Sequence, residues 1–475
     1  MTTPLQLYER EHYMSSVQLR ESVVEKSMPR LRRNLLHYPS VAAVLRSRWH
    51  PGILQAITAA FYGLIIFQLL AGPKYAEYNL GMALTWVLWW PMLPITFLLL
   101  GRFWCTICPF GMISDLVQKF VGNQRAVPKF LKKYGIWIIN ALFILITWID
   151  FVWGIDNSPW RSVVLLLSLT VGVVICSVFF KRRTWCRYLC FLGGLASNYS
   201  RVSMLQLRAN PLICATCKSC AACYKGNANG PGCPMFEYPR SMNTSAHCNL
   251  CAACIKTCPN GSPQLTVCIP TQELWFIRKP KIEEALLAVV LMGIILVQHI
   301  SVLYIWQSIL GELEHLTNNV VILTITLVIA MLIPTLLLGS AALVAKAFNH
   351  ASLLSNFARF GYAFIPLDLA SHIAHNLLSL LAEGKSIVFT AFPLFGLPIP
   401  ESSTGLVSLA VIQVIQCDLV ALGVIASLYT AYRIAHSDRA SLQHVWLSFA
   451  PYAVLILMLG AINTFIFMLP IAMLC

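Results

Sequence analysis

Along the chain, long apolar runs alternate with short, strongly charged stretches. A helix needs about 20 apolar residues to cross a bilayer core. Nine runs reach or approach that length: 52–71, 80–100, 135–152, 163–180, 284–305, 320–344, 362–381, 406–429 and 445–469. Between the fourth and fifth runs the pattern changes. Residues 200–281 are polar, rich in Cys, Gly and Pro, and hold no spanning run. This predicts four regions: a polar segment over 1–50, a four-span half over 51–199, a small soluble domain over 200–281, and a five-span half over 282–475. The expected fold is an all-α polytopic membrane protein of about nine transmembrane helices, interrupted by one small inserted domain.

Charge orients this plan. Arg30, Arg32, Arg33, Arg46 and Arg48 precede the first run, and Arg102, Lys119, Arg125, Lys129, Lys132 and Lys133 follow the second. Lys181, Arg182 and Arg183 follow the fourth, Lys346 and Arg359 the sixth, and Arg433 and Arg439 the eighth. All fall on one side of a nine-span chain, whereas 307–319 carries Glu312 and Glu314 and no Lys or Arg. The positive-inside rule then predicts a cytoplasmic N-terminus and inserted domain, and an extracytoplasmic C-terminus.

Composition agrees. Hydrophobic residues make up 58% of the 475 and charged residues 11%, against about 25% charged in soluble domains. The net charge of +15 sits beside apolar runs, where lipid explains it and no nucleic-acid partner is expected. The first 50 residues lack the apolar core of a cleavable signal peptide.

Candidate chemistry lies in the 17 cysteines. Cys248-x2-Cys251-x2-Cys254-x3-Cys258-Pro259 matches the bacterial 4Fe–4S run C-x2-C-x2-C-x3-C-P. Cys217-x2-Cys220-x2-Cys223 repeats it, followed after an insertion by Cys233-Pro234. The local repeat Ser219-Cys220-Ala221-Ala222-Cys223 against Leu250-Cys251-Ala252-Ala253-Cys254 sets the register and leaves Cys214 surplus. In two-cluster ferredoxins the fourth Cys serves the other cluster. One 4Fe–4S cluster is therefore expected on Cys217, Cys220, Cys223 and Cys258, and the second on Cys248, Cys251, Cys254 and Cys233. The inserted domain is expected to be a small α+β bacterial-type two-cluster ferredoxin in a reducing compartment. Zinc also takes C-x2-C pairs, but does not need three cysteines at x2 spacing twice, each set with a Cys-Pro.

A second pattern follows the second and fourth runs. Arg102-Phe103-Trp104-Cys105-Thr106-Ile107-Cys108-Pro109-Phe110-Gly111 is echoed by Arg183-Thr184-Trp185-Cys186-Arg187-Tyr188-Leu189-Cys190-Phe191-Leu192-Gly193. Four thiols at one membrane face, beside arginines, suit a third metal centre or a dithiol relay; the plain alternative is small packing residues. With the tandem cluster motif, this arrangement resembles the membrane polyferredoxins of the NapH/NosR type over about 49–281. The resemblance implies electron transfer between quinones or cytoplasmic donors and extracytoplasmic redox partners in a bacterial inner membrane. It makes Cys105, Cys108, Cys186 and Cys190 redox-active or cluster-binding. The second pair departs from the family in reading Cys190-Phe191 for Cys-Pro and in its longer gap, and the flavin domain of the NosR branch is absent.

The five-span half rests on physics alone. Ionisable residues at membrane depth are functional candidates. Asp368, His372 and His375 share one helix face, His299 lies in the fifth run, and Asp418 in the eighth beside Gln413, Gln416 and Cys417. The expectations are a haem held by His299 with His372 or His375, a quinone pocket, a transition-metal pathway, or polar groups satisfying one another. Cys176, Cys268, Cys417 and Cys475 read as packing residues or free thiols. No nucleotide loop or catalytic triad appears. The sequence thus points to an electron-transfer subunit rather than a self-contained enzyme, the alternatives being a metal-uptake or metal-homeostasis protein or a redox maturation factor.

Overall fold

The computed structural model describes residues 34–218, 222–277, 279–315, 317–349, 351–400, 402–437 and 442–470. The expectations for 1–33, Cys220, Arg439 and Cys475 lie outside these residues. Among the described residues nine helices are long and apolar enough to cross a membrane.

The first half contains α1 (Gly52–Ala71), α2 (Trp90–Leu100), α3 (Pro109–Val121), α4 (Lys129–Trp153), α5 (Pro159–Phe179) and the short α6 (Phe191–Tyr199). A π-helical stretch, Ala83–Trp89, leads into α2; such wide turns recur at functional sites. The second half contains α7 (Ile282–Ser301), α8 (Tyr304–Glu314), α9 (Asn319–Asn349), α10 (Leu353–Gly361), α11 (Ile365–Ala382), α12 (Leu409–His436) and α13 (Leu442–Met468). The run expected over 284–305 ends at Ser301. Its last residues join α8, which buries none of its side chains.

The halves share one core. Phe97 of α2, Phe143 of α4, Leu195 and Tyr199 of α6, Leu291 of α7 and Leu369 of α11 pack in a single cluster. Lipid tails are as apolar as Leu, so helices in a bilayer associate through close packing rather than through exclusion of water. Gly293 on α7 shows this: a Cβ there would strike the backbone of Ala330 on α9. The central helix α7 is the most enclosed span.

Between the halves, β1 (Leu205–Ala209) pairs antiparallel with β4 (Pro263–Val267), and β2 (Gly226–Asn227) with β3 (Gly230–Pro231). The β1–β4 ladder closes the Cys-rich loops into one unit, with Leu207, Leu250, Ile255 and Leu265 as its core and Phe103 of the membrane half packed against them. The exit segment is held to α12 by Arg433, whose guanidinium lies 4.8 Å from the Trp275 ring centre.

Candidate functional site

The Cys-rich unit forms two groups of thiols. Cys214, Cys217, Cys223 and Cys258 line one cavity with Pro259 and Ser262. Asn210 caps the short helix that carries Cys214, accepting from Leu212 N at 3.0 Å, and Cys214 Sγ lies 3.0 Å from Ser262 Oγ. Cys214, surplus by the repeat, is therefore a wall of the first group. The second group gathers Cys248, Cys251 and Cys233 around Cys254, with Cys223 of the first group also within electrostatic reach. Leu250 and Ala252 adopt left-handed backbone conformations, which turn the loop tightly and bring the Leu250 N–H toward Cys248 and the Ala253 N–H toward Cys251. Hydrogen bonds to sulfur are among the levers that tune a cluster's potential. Burial pushes the free Cys248 thiol up to about 12 and Cys233 up to about 11. The unloaded chain thus holds neutral thiols, and metal binding must release protons.

The four juxtamembrane cysteines come together. Cys190 feels Cys186, Cys105 and Cys108, and Cys108 feels Cys186 and Cys105. The two motifs meet by the same device. Cys108 and Cys190 occupy the residue before the first turn of α3 and of α6. Gly111 N–H donates to the Cys108 carbonyl at 3.0 Å and Gly193 N–H to the Cys190 carbonyl at 2.9 Å, closing the first turn in the same way. Two helix N-termini therefore aim their unpaired N–H groups and positive ends at one place, which favours anions. Pro109 suits the first helical position, where no N–H is needed; Phe191 fills the same position in α6, so the departure from Cys-Pro leaves the cap intact. Burial pushes the Cys186 and Cys190 thiols up, while Arg183 and Arg102 pull Cys186 back.

Both arginines are 3% exposed. Arg183 pairs with Asp115 at 2.7 Å and donates to the Cys105 carbonyl at 3.3 Å. Arg102 donates to the Ala246 carbonyl at 2.5 Å, and Thr106 to the Asn249 carbonyl. These two bonds seat the Cys248 loop on the Cys105 loop. Arg183 and Arg182 accordingly act on Cys251 across the junction. Sequence reasoning set Arg183 and Arg187 beside the thiols and missed the role of Arg102, although Arg-x-Trp-Cys stands in both motifs.

Beyond the thiols, tryptophans lead inward. Trp104 and Trp89 ring centres are 5.8 Å apart, Trp89 and Trp90 6.1 Å, and Trp90 and His372 6.3 Å. An apolar cavity beside this row is lined by Trp86, Trp89, Trp90, Phe110, Phe191 and Gln298.

The polar residues of the second half are only partly gathered. Tyr199 OH lies 3.1 Å from His372 Nδ1, and His299 Nδ1 lies 3.1 Å from His375 Nδ1. His299 and His375 thus meet directly through their Nδ1 atoms. Asp368 is fully buried and neither of its carboxylate oxygens has a partner. Asp418 does not join the set. Gln416 and Val420 face the core of α12, and Asp418, half a turn from each, is exposed. Among the described residues no three His, Cys, Asp or Glu side chains are close enough to hold a single metal ion. A cubane spreads its thiolates around a larger body, so the three thiol groups suit a cluster better than one zinc ion.

A family described as 4Fe-4S binding domain matches residues 82–128 and 163–205. These two stretches carry the juxtamembrane motifs, one each. The chain is also similar to the candidate electron transport protein YccM of Escherichia coli (strain K12), 29% identical over 150 residues, 26% of this chain and 41% of that one. An uncharacterised protein of Methanocaldococcus jannaschii, MJ0749, is 27% identical over 127 residues, 25% of this chain and 50% of that one. The chain thus spans between two fifths and half the length of these curated relatives. No solved structure matches it. Together with the nine helices apolar enough to cross a membrane among the described residues, the family match defines a multi-pass iron–sulfur membrane protein.

Proposed function

We propose that this protein carries electrons between a cytoplasmic donor and an acceptor in the membrane, through two 4Fe–4S clusters in the Cys-rich unit and a third centre on Cys105, Cys108, Cys186 and Cys190. The carrying observation is the order of the thiol groups. The Cys214/Cys217/Cys223/Cys258 group adjoins the Cys248/Cys251/Cys254/Cys233 group, whose loop is bonded through Asn249 and Ala246 to the loop of the third. A 4Fe–4S cluster supplies a one-electron carrier at each position. The chain's own residues fix the spacing: Arg102 and Thr106 clamp the junction, and Arg183 with two helix N-termini supplies positive charge at the third site.

The Cys-rich unit is read as a small ferredoxin-like domain facing the cytoplasm of a bacterial inner membrane. The basic residues clustered on its side of the spans support that orientation. The acceptor is read as a quinone, in keeping with the NapH/NosR-type resemblance. The tryptophan-lined cavity supports it, because Phe110 and Phe191, neighbours of the capping motifs, form part of its wall. A redox partner protein on the far side would complete the path.

The test is iron and acid-labile sulfide per chain, in detergent and without oxygen. About 12 of each is expected for three cubanes. About 8 would leave the juxtamembrane thiols unmetallated and remove the third centre; zinc in place of iron would overturn the whole reading. An optical spectrum of the same sample tests for haem, and reduction by a water-soluble quinol tests the acceptor.

A further inference from the structure

The second half contains buried titratable groups that electron transfer does not use. They run from the start of α7 toward its last turn. At the Cys-rich side, a polar cavity of about 380 Å³ opens between the unit and the membrane, lined among others by Arg102, Arg187, Lys281 and Glu284. Glu284, near the start of α7, accepts from Tyr362 OH at 2.7 Å and from Arg201 at 2.5 Å. Tyr362 lies less than two helical turns before Asp368. Asp368 lies within electrostatic reach of Tyr199, Tyr199 bonds His372, His375, one turn further along the same face of α11, acts on His372, and His375 bonds His299. His299 stands at the last turn of α7, a 20-residue helix that reaches about 30 Å, the thickness of the hydrocarbon core.

We propose that Asp368, Tyr199, His372, His375 and His299 form a proton relay between the polar cavity and the far face of the membrane. Four helices of the shared core hold it: α11 supplies three groups, α6 one and α7 one, with Trp90 of α2 against His372. Each step passes one proton from a donor oxygen or nitrogen to the next acceptor, and no oxidation state changes. The pattern of unpaired atoms fits this use. Both oxygens of Asp368 and Nε2 of His299, the two ends of the row, are buried without a partner, although buried polar atoms ordinarily have one. Ends that must exchange protons with water or with a mobile group have such free valences. A metal path fits less well, since no three of these side chains converge. The tryptophan row from Cys105 ends on His372, so an electron entering the membrane there would meet a group that can deliver a compensating proton.

The relay does not depend on the third centre, and its test is separate. The full-length protein is reconstituted into liposomes with a trapped pH dye, and a potassium diffusion potential is applied with valinomycin, before and after reduction with dithionite. Wild type is expected to add proton flux over protein-free vesicles in at least one redox state. Asp368→Asn and His299→Gln should each cut that flux at least tenfold at unchanged iron content and helicity, and Asp368→Glu should restore part of it. A wild-type flux no greater than that of empty vesicles in both states overturns the relay, as does unreduced flux in both folded variants. If either variant fails to fold, the wild-type comparison and slower flux in D₂O still decide it; flux equal in H₂O and D₂O rules out hopping through these groups.

Discussion

Arg183 offers a direct way to read the charge of the third centre. It is buried, and it serves Asp115 and the Cys105 carbonyl while acting on Cys186. Arg183→Met keeps most of its apolar stem and removes one positive charge. Breaking a buried ion pair costs about 3–5 kcal/mol, but Asp115 is 27% exposed and retains Arg182 at 3.1 Å, so the loss should fall below that range, near 2 kcal/mol. The electrostatic effect is separate. A unit charge 4–8 Å from a redox group at an effective dielectric of about 20 is worth about 2–4 kcal/mol. At 59 mV per tenfold for one electron, this is on the order of 100 mV. Reduction adds negative charge, so losing Arg183 should lower the potential of the third centre by that amount, lower that of the Cys251 cluster less, and leave the outermost cluster nearly unmoved. Asp115→Asn removes the opposing charge and should raise it. The assay is an EPR-monitored redox titration of the purified protein, with iron counted in each sample. If both variants keep about 12 irons and shift no potential by more than experimental error, or if they shift it in the same direction, the placement of Arg183 beside a cluster is wrong.

Other variants probe single contacts. Cys214→Ser and Cys220→Ser compete for one place in the first thiol group: loss of about four irons in one and full iron in the other identifies the ligand, and Cys254→Ser should lose iron from the second group alone. A Cβ on Gly193 would sit 2.9 Å from the Cys186 carbonyl; overpacking of this kind costs about 1–3 kcal/mol, so Gly193→Ala should deplete the third centre, whereas Gly339→Ala, with open space around it, should change nothing in an iron assay. Asp418→Leu removes a carboxylate from an exposed face, where a buried-in-lipid Asp costs about 2.5–3.5 kcal/mol; iron content and electron transfer should stay at wild type and the detergent Tm should hold or rise, and loss of electron transfer would place Asp418 on the path after all.

Much of the frame is legible in the sequence because spans obey a length rule that needs no tertiary information. The first helix matches its apolar run residue for residue at Gly52–Ala71. The Cys248–Cys258 spacing carries its own closure geometry and reads locally. What does not read is anything that depends on two distant segments meeting. Tyr199 ends a helix of the first half, and its partner His372 lies in the second; nothing in either neighbourhood announces the other. Asp418 failed for a different reason. Its run is apolar on every face, so hydrophobicity sets no phase, and only the packing of Gln416, Val420 and Gly423 shows which side of α12 turns inward. Cys214 shows the limit of repeat logic: the internal alignment chose a register, while the fold brings the extra thiol to the same wall.

The duplicated motif explains why the juxtamembrane thiols form one site rather than two. Each copy supplies a cysteine at the N-cap of a helix, its carbonyl accepting from the Gly three residues on, and an upstream cysteine one short turn away. Neither copy has four thiols, so a cubane can form only where both helix N-termini face the same point. The arginines then break the symmetry. Arg183 turns within the membrane half, to Asp115 and Cys105, whereas Arg102 turns outward to the Cys248 loop. The site is thereby tied on one side to the spans and on the other to the Cys-rich unit. An electron path has to cross that boundary, and Arg102, three residues before Cys105, bridges it there by a hydrogen bond. On the proposed electron path, retention of the Cys-rich unit on the membrane half and conduction between them would rest on the same few contacts, which makes the junction, more than either cluster loop alone, the place to test that path.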